Sequence, residues 1–142
     1  MSIKISDTNN IPKALKGLSS VKGKKLETGV FGDGHMAMIA AAHEFGSPKN
    51  NIPERSFLRS AHDEHSSEIV DKFEKLLPDI IEGVDGEAVL EGLGLEFSGR
   101  VQAKLREIQS PPLQPETIKR KKSSNPLIDE GNLVGSIEHR VT

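Results

Sequence analysis

At two places in this chain the arrangement of histidines and carboxylates implies a definite chemistry. His43-Glu44 is the first half of an HExxH helix, in which two histidines one turn apart hold zinc and the glutamate activates water. The second histidine would fall at position 47, which is serine, and Pro48 would end the helix that presents it. The metalloprotease arrangement is therefore excluded. Glu44 is expected to pair with Arg55 or Arg59 and so to fix the loop between them. His62-Asp63-Glu64-His65 is the densest set of possible ligands, and histidines three apart share one helical face. A zinc site needs three or more ligands, however, and His65 lies in apolar register between Ala61 and Ile69. It reads as a partly buried structural histidine, and a small metal-dependent enzyme built on His43, His62 and His65 is the minor reading. No Ser/His/Asp set, phosphate loop or carboxylate pair stands at informative spacing. The expectation is a protein with no catalytic residues, no cofactor and no metal.

Lys119-Arg120-Lys121-Lys122 is the strongest basic run, followed by Ser123-Ser124. Four charges with no basic helix face and no interleaved aromatics are a poor reader of bases. The run is expected to meet a partner or another copy of the chain.

These groups must be positioned by an aliphatic core. The chain has 142 residues, enough for one domain, and its only aromatic side chains besides histidine are five phenylalanines, most of them expected in that core. It has no cysteine, which removes disulfides, thiolate nucleophiles and cysteine-based zinc sites. No apolar run approaches the roughly 20 residues of a membrane helix, and the start lacks a signal-peptide apolar stretch. The net charge is −2, but it is unevenly spread. Residues 1–25 carry six lysines against one aspartate, 54–96 carry twelve acids against four bases, and 100–122 carry seven bases against two acids. Separated patches of opposite sign let copies of one chain dock in register.

The pattern predicts α+β elements. Asn10 as N-cap and Pro12 in the first turn start a short helix with Ala14, Leu15 and Leu18 on its apolar side. Leu26, Thr28 and Val30 alternate as a strand over 25–32. Residues 36–42 are apolar and alanine-rich, a helix ended by Gly46 and Pro48. Phe57, Ala61, Ile69, Phe73, Leu76 and Ile80 form one face of a long helix that ends near Gly83. A second long helix over 86–109 carries Leu90, Leu93, Phe97, Val101, Leu105 and Ile108, with Gly92, Gly94 and Gly99 weakening it or allowing close approach. Pro111-Pro112 stops it, a loop with one helical turn at 116–121 follows, and 136–141 reads as a closing strand. Asp129 is expected to cap a turn at Gly131, with Leu127, Leu133 and Ile137 anchoring that step. The fold expected is a small, mainly antiparallel sheet packed against two long helices in a single domain.

Two separated motifs go further. His43-Glu44-Phe45-Gly46 with Ile52-Pro53-Glu54-Arg55-Ser56-Phe57-Leu58-Arg59 resembles the "HEFG…IPERPFLR" element of tailed-bacteriophage neck and tail-completion proteins. The segment 111–141, Pro111-Pro112 through Pro126-Leu127-Ile128-Asp129 to Val141, resembles the "PP…P.TI..RK…PLID.G.L..SI" closing segment of the same proteins. The match covers about 30–59 and 111–141, and the chain departs from it with Ser56 in place of Pro and Glu130 in place of Thr. The resemblance implies a structural virion protein, a tail-completion or tail-terminator subunit whose ring, commonly six-fold, caps the tail tube and joins it to the head connector. Its partners would be copies of itself, the tail tube protein and the head-tail connector protein, with no membrane and with DNA only passing through the channel. It would be assembled in the host cytoplasm and end in the virion. The alternative within the resemblance is a head-side connector or adaptor of the neck. The residues expected at the assembly interface are Lys119, Arg120, Lys121 and Lys122, with Glu44, Arg55 and Arg59.

Overall fold

The structure is a computed structural model that describes residues 1–6, 9–32, 34–108, 110–113, 115, 119 and 132–142. Helix α1 (Ile11–Val21) begins where the Asn9 side-chain oxygen accepts the Ile11 amide at 3.1 Å. The capping oxygen thus comes from Asn9; Asn10 makes no side-chain cap. Strand β1 (Leu26–Val30) and helix α2 (Gly34–Phe45) follow, then one 3₁₀ turn over Pro48–Asn50. Two long helices come next, α3 (Leu58–Ile81) and α4 (Gly86–Glu107), and the chain closes with α5 (Asn132–Gly135) and β2 (Ile137–Val141). Asp85 caps α4 by accepting the Glu87 amide at 3.0 Å, and Lys104 and Arg106 complement the dipole in its last turn.

The two strands pair antiparallel, Leu26 opposite Val141 through Val30 opposite Ile137. The sheet packs against α3 and α4, as expected, and most of that contact is with α4. Gly94 makes the approach possible: a Cβ there would lie 2.4 Å from the His139 ring and 2.7 Å from Leu26 Cδ1. Most of the expected stripes form the core, with Phe57 at the N-cap of α3, Ala61, Ile69 and Ile80 within it, and Leu90, Leu93, Phe97, Val101 and Leu105 from α4 all buried, while Leu76 and Ile108 are half-buried. Leu133 and Ile137 close it from the C-terminal side. Phe73 is half-buried against it.

Two further expectations need correction. In α1 the residue that meets the core is Gly17, whose Cα packs so tightly on α3 that a Cβ would sit 2.2 Å from the Ile80 carbonyl oxygen. That close seat turns Leu15 and Leu18 outward, 59% and 40% exposed. Phe45 is exposed rather than core and lies beneath the Arg59 guanidinium, 4.9 Å from ring centroid to Cζ. The expected helical turn at 116–121 falls almost wholly outside the described residues. Leu127 and the Asp129 turn lie entirely outside them.

Candidate functional site

Helix α3 starts at a residue that has no oxygen to offer: Phe57 occupies its N-cap. Unpaired amides at a helix start need an acceptor. Glu44, at the end of α2, supplies it. Glu44 Oε2 accepts the Phe57 and Leu58 amides, both at 2.9 Å, and Oε1 accepts the Arg59 amide at 3.1 Å, the Ser56 hydroxyl at 2.8 Å and Arg59 Nε at 2.8 Å. Burial alone pushes the Glu44 carboxyl up, but the bonds from Arg59, Ser56 and the Leu58 and Arg59 amides outweigh it and hold the group below the usual range. Arg59 spreads its other nitrogen between the Glu44 carbonyl at 2.9 Å and Glu54 Oε1 at 2.7 Å. The positive end of α3 thus holds a buried anion contributed by a different helix.

Arg55, the other expected partner, does something else. It is 5% exposed, its amide donates to the His43 carbonyl at 2.7 Å, and its Nε and Nη2 both donate to the Pro111 carbonyl at 3.1 and 2.7 Å. Arg55 therefore ties the α2–α3 joint to the chain just beyond α4. Lys119, further along that segment, is exposed; Arg120, Lys121 and Lys122 lie outside the described residues. The structure brings Glu44, Arg55 and Arg59 together at the α2–α3 joint.

The charged patches are used in part within the chain. Arg100 of α4 donates to both Glu68 oxygens at 2.6 and 2.7 Å and to Glu96 at 2.6 Å. Lys72 reaches Glu96 at 2.5 Å and Glu68 at 3.3 Å, and Lys104 pairs with Glu64. Arg100 and then Lys72 pull the Glu68 carboxyl down to about 2, and Lys104 lowers that of Glu64. Hence Arg100 and Lys104, which belong to the basic block 100–122, spend their charge on α3 of the same chain. The i,i+4 pairs Glu68/Lys72 and Glu96/Arg100 were a readable signal of this network. Their joining across two helices was not.

His65 is half-buried beside Arg100, whose Nη1 lies 3.2 Å from its Nδ1. That cation is a poor neighbour for a metal ion, and among the described residues no three His, Cys, Asp or Glu side chains group as ligands. His62 stacks at a tilt on Phe97, centroids 6.0 Å apart. No helix among the described residues is long and apolar enough to cross a membrane. Protein-family models, curated proteins and solved structures give no match to this chain.

Proposed function

We propose that the chain is a structural subunit of the neck of a tailed bacteriophage, a tail-completion or tail-terminator protein that works as a ring. One observation carries the reading. The two sequence motifs that resemble such proteins meet in space, because Arg55 of the first donates twice to the carbonyl of Pro111, the opening residue of the second. Around that contact Glu44 and Arg59 lock the remainder of the first motif. The motif residues therefore act as a clamp on the chain at Pro111, where the segment that carries the basic run begins. A clamp of this kind suits a part whose task is to present a segment to neighbours, since binding costs less when the segment's root is already ordered. Ring assembly needs two different complementary patches on each copy. Exposed Lys119 and the rest of its basic run supply one, and the acids of α3 left outside the internal network, Asp71, Glu74 and Asp79, supply the other. Native mass and negative-stain electron microscopy of the purified protein should give a closed ring of defined copy number. A monomer at every concentration, which also fails to cap purified tail tubes, would rule the proposal out.

A further inference from the structure

A cleft of about 350 Å³ opens beside β1, lined by Leu26, Glu27 and Thr28 of the strand together with Leu58, Phe97 and Val101. Three consecutive strand residues share its wall with the first turn of α3, so the cleft runs along the strand's edge. That edge is free: among the described residues β1 pairs only with β2. Its polarity follows from the register. Lys25 and Thr142 exchange both backbone bonds at 2.7 and 3.0 Å. In an antiparallel pair such residues alternate, so Glu27 and Gly29 also turn their amides and carbonyls to β2. Leu26, Thr28 and Val30 then turn theirs to the open edge. Thr28 Oγ1, in the same cleft, is buried with no hydrogen-bond partner among the described residues.

A strand of matching chemistry exists in the chain. Residues 1–6 alternate, with Ile3 and Ile5 flanking Lys4, and the two isoleucines are 83% and 89% exposed. We propose that residues 1–6 of one copy add as a third strand along β1 of a neighbouring copy, with Ile3 and Ile5 filling the cleft. Period-two alternation then puts Lys4 on the outer face beside exposed Glu27, an ion pair across the new ladder. Strand addition of this kind draws affinity from the backbone and selectivity from the pocketed side chains. The arm does not fold back on its own sheet, since Ile3 and Ile5 stay exposed in the single chain.

This inference rests on the ring reading above for the existence of neighbouring copies, and its test separates the two. The chain has no native cysteine, so single cysteines report contacts cleanly. Lys4→Cys protein is mixed with Glu27→Cys protein under mild oxidation, with a Lys4→Cys and Lys75→Cys mixture as control. Selective covalent heterodimers from the first pair are expected. In parallel, Ile3→Asp/Ile5→Asp should shift the self-association midpoint by about tenfold or more, with circular dichroism unchanged because both side chains are exposed. Crosslinking no better than the control overturns the proposal. So does closure within a single Lys4→Cys/Glu27→Cys chain at high dilution, which would assign the arm to its own sheet. A closed ring without the Lys4–Glu27 link removes the arm and keeps the ring. The link in dimers or open chains keeps the arm and removes the ring, and absence of both link and self-association overturns both.

Discussion

Glu44 and Arg59, fifteen positions apart, bind each other twice: Arg59 Nε donates to the Glu44 carboxylate at 2.8 Å, and Arg59 Nη2 donates to the Glu44 carbonyl at 2.9 Å. The pair closes the α2–α3 joint into one rigid corner. The arginine is half-exposed while the carboxylate is 3% exposed, so the two ends differ in worth. Most of the stabilisation belongs to the buried end, where three helix amides also converge.

Glu44→Ala should therefore destabilise the domain by about 3 kcal/mol, since it strands buried amides at the start of α3. Glu44→Gln, which still accepts but has lost its charge, should cost less. Arg59→Ala should cost least, because solvent already reaches that side chain. Urea unfolding of the three variants checks the order. An Arg59→Ala loss larger than that of Glu44→Ala would overturn the assignment of the amides as the main load.

Three kinds of glycine substitution should separate by environment. A Cβ at Gly92 or Gly99 meets nothing within 4 Å, so alanine there should stabilise α4 by up to about 1 kcal/mol. Gly17→Ala drives its Cβ into the Ile80 backbone carbonyl, and Gly94→Ala drives it into the His139 ring. Both should lower the melting temperature despite alanine's better helix propensity. Gly17→Ala should be the worse of the two, because backbone yields less readily than a side chain.

The same glycines mark the limit of what the pattern in the chain discloses. Gly92, Gly94 and Gly99 look alike along α4, and only the sheet, with Leu26 of β1 and His139 of β2 against it, makes Gly94 different. Long helices were legible because their stripes repeat every three or four residues, and Phe57, Phe97 and Leu105 lie where that period puts them. Leu15 and Leu18 mislead because an apolar side chain ordinarily marks the buried face, whereas close helix contact selects the residue without a side chain. The Glu44–Arg59 pair was legible only as one of two choices. Arg55 differs by facing the Pro111 carbonyl, a partner 56 positions away that no local spacing announces.

Acid should weaken the fold in a defined direction. The carboxyls of Glu44, Glu64, Glu68 and Glu96 are all held below their ordinary value in the folded chain, Glu68 at about 2. The unfolded chain therefore takes up protons first, and the stability these groups contribute above pH 5 is lost progressively as pH falls toward 2. Replacing Glu64, Glu68 and Glu96 together by Gln should flatten the slope of unfolding free energy against pH between about 5 and 3. An unchanged slope would mean that solvent screens the pairs fully.

The last prediction concerns the basic run. Arg100 and Lys104 are engaged with Glu68, Glu96 and Glu64, so an interface role for the basic block 100–122 turns on Lys119, Arg120, Lys121 and Lys122. Reversing all four to Glu should prevent ring formation and leave the domain folded, because Lys119 is exposed and the internal network stays intact. Exposed ion pairs contribute only about 0.2–1 kcal/mol each, so one reversal should be nearly silent and four should not. Added salt should loosen the assembled form of the native protein, since solvent-accessible charges are screened within about 10 Å at 0.1 M. Arg100→Met should act differently, lowering the melting temperature while leaving the salt dependence of assembly as it was. Light scattering, native mass and circular dichroism across a salt series distinguish the two effects. A folded four-fold reversal that still builds the native ring, at every salt concentration, would show that these residues are solvated and that another surface holds the copies together.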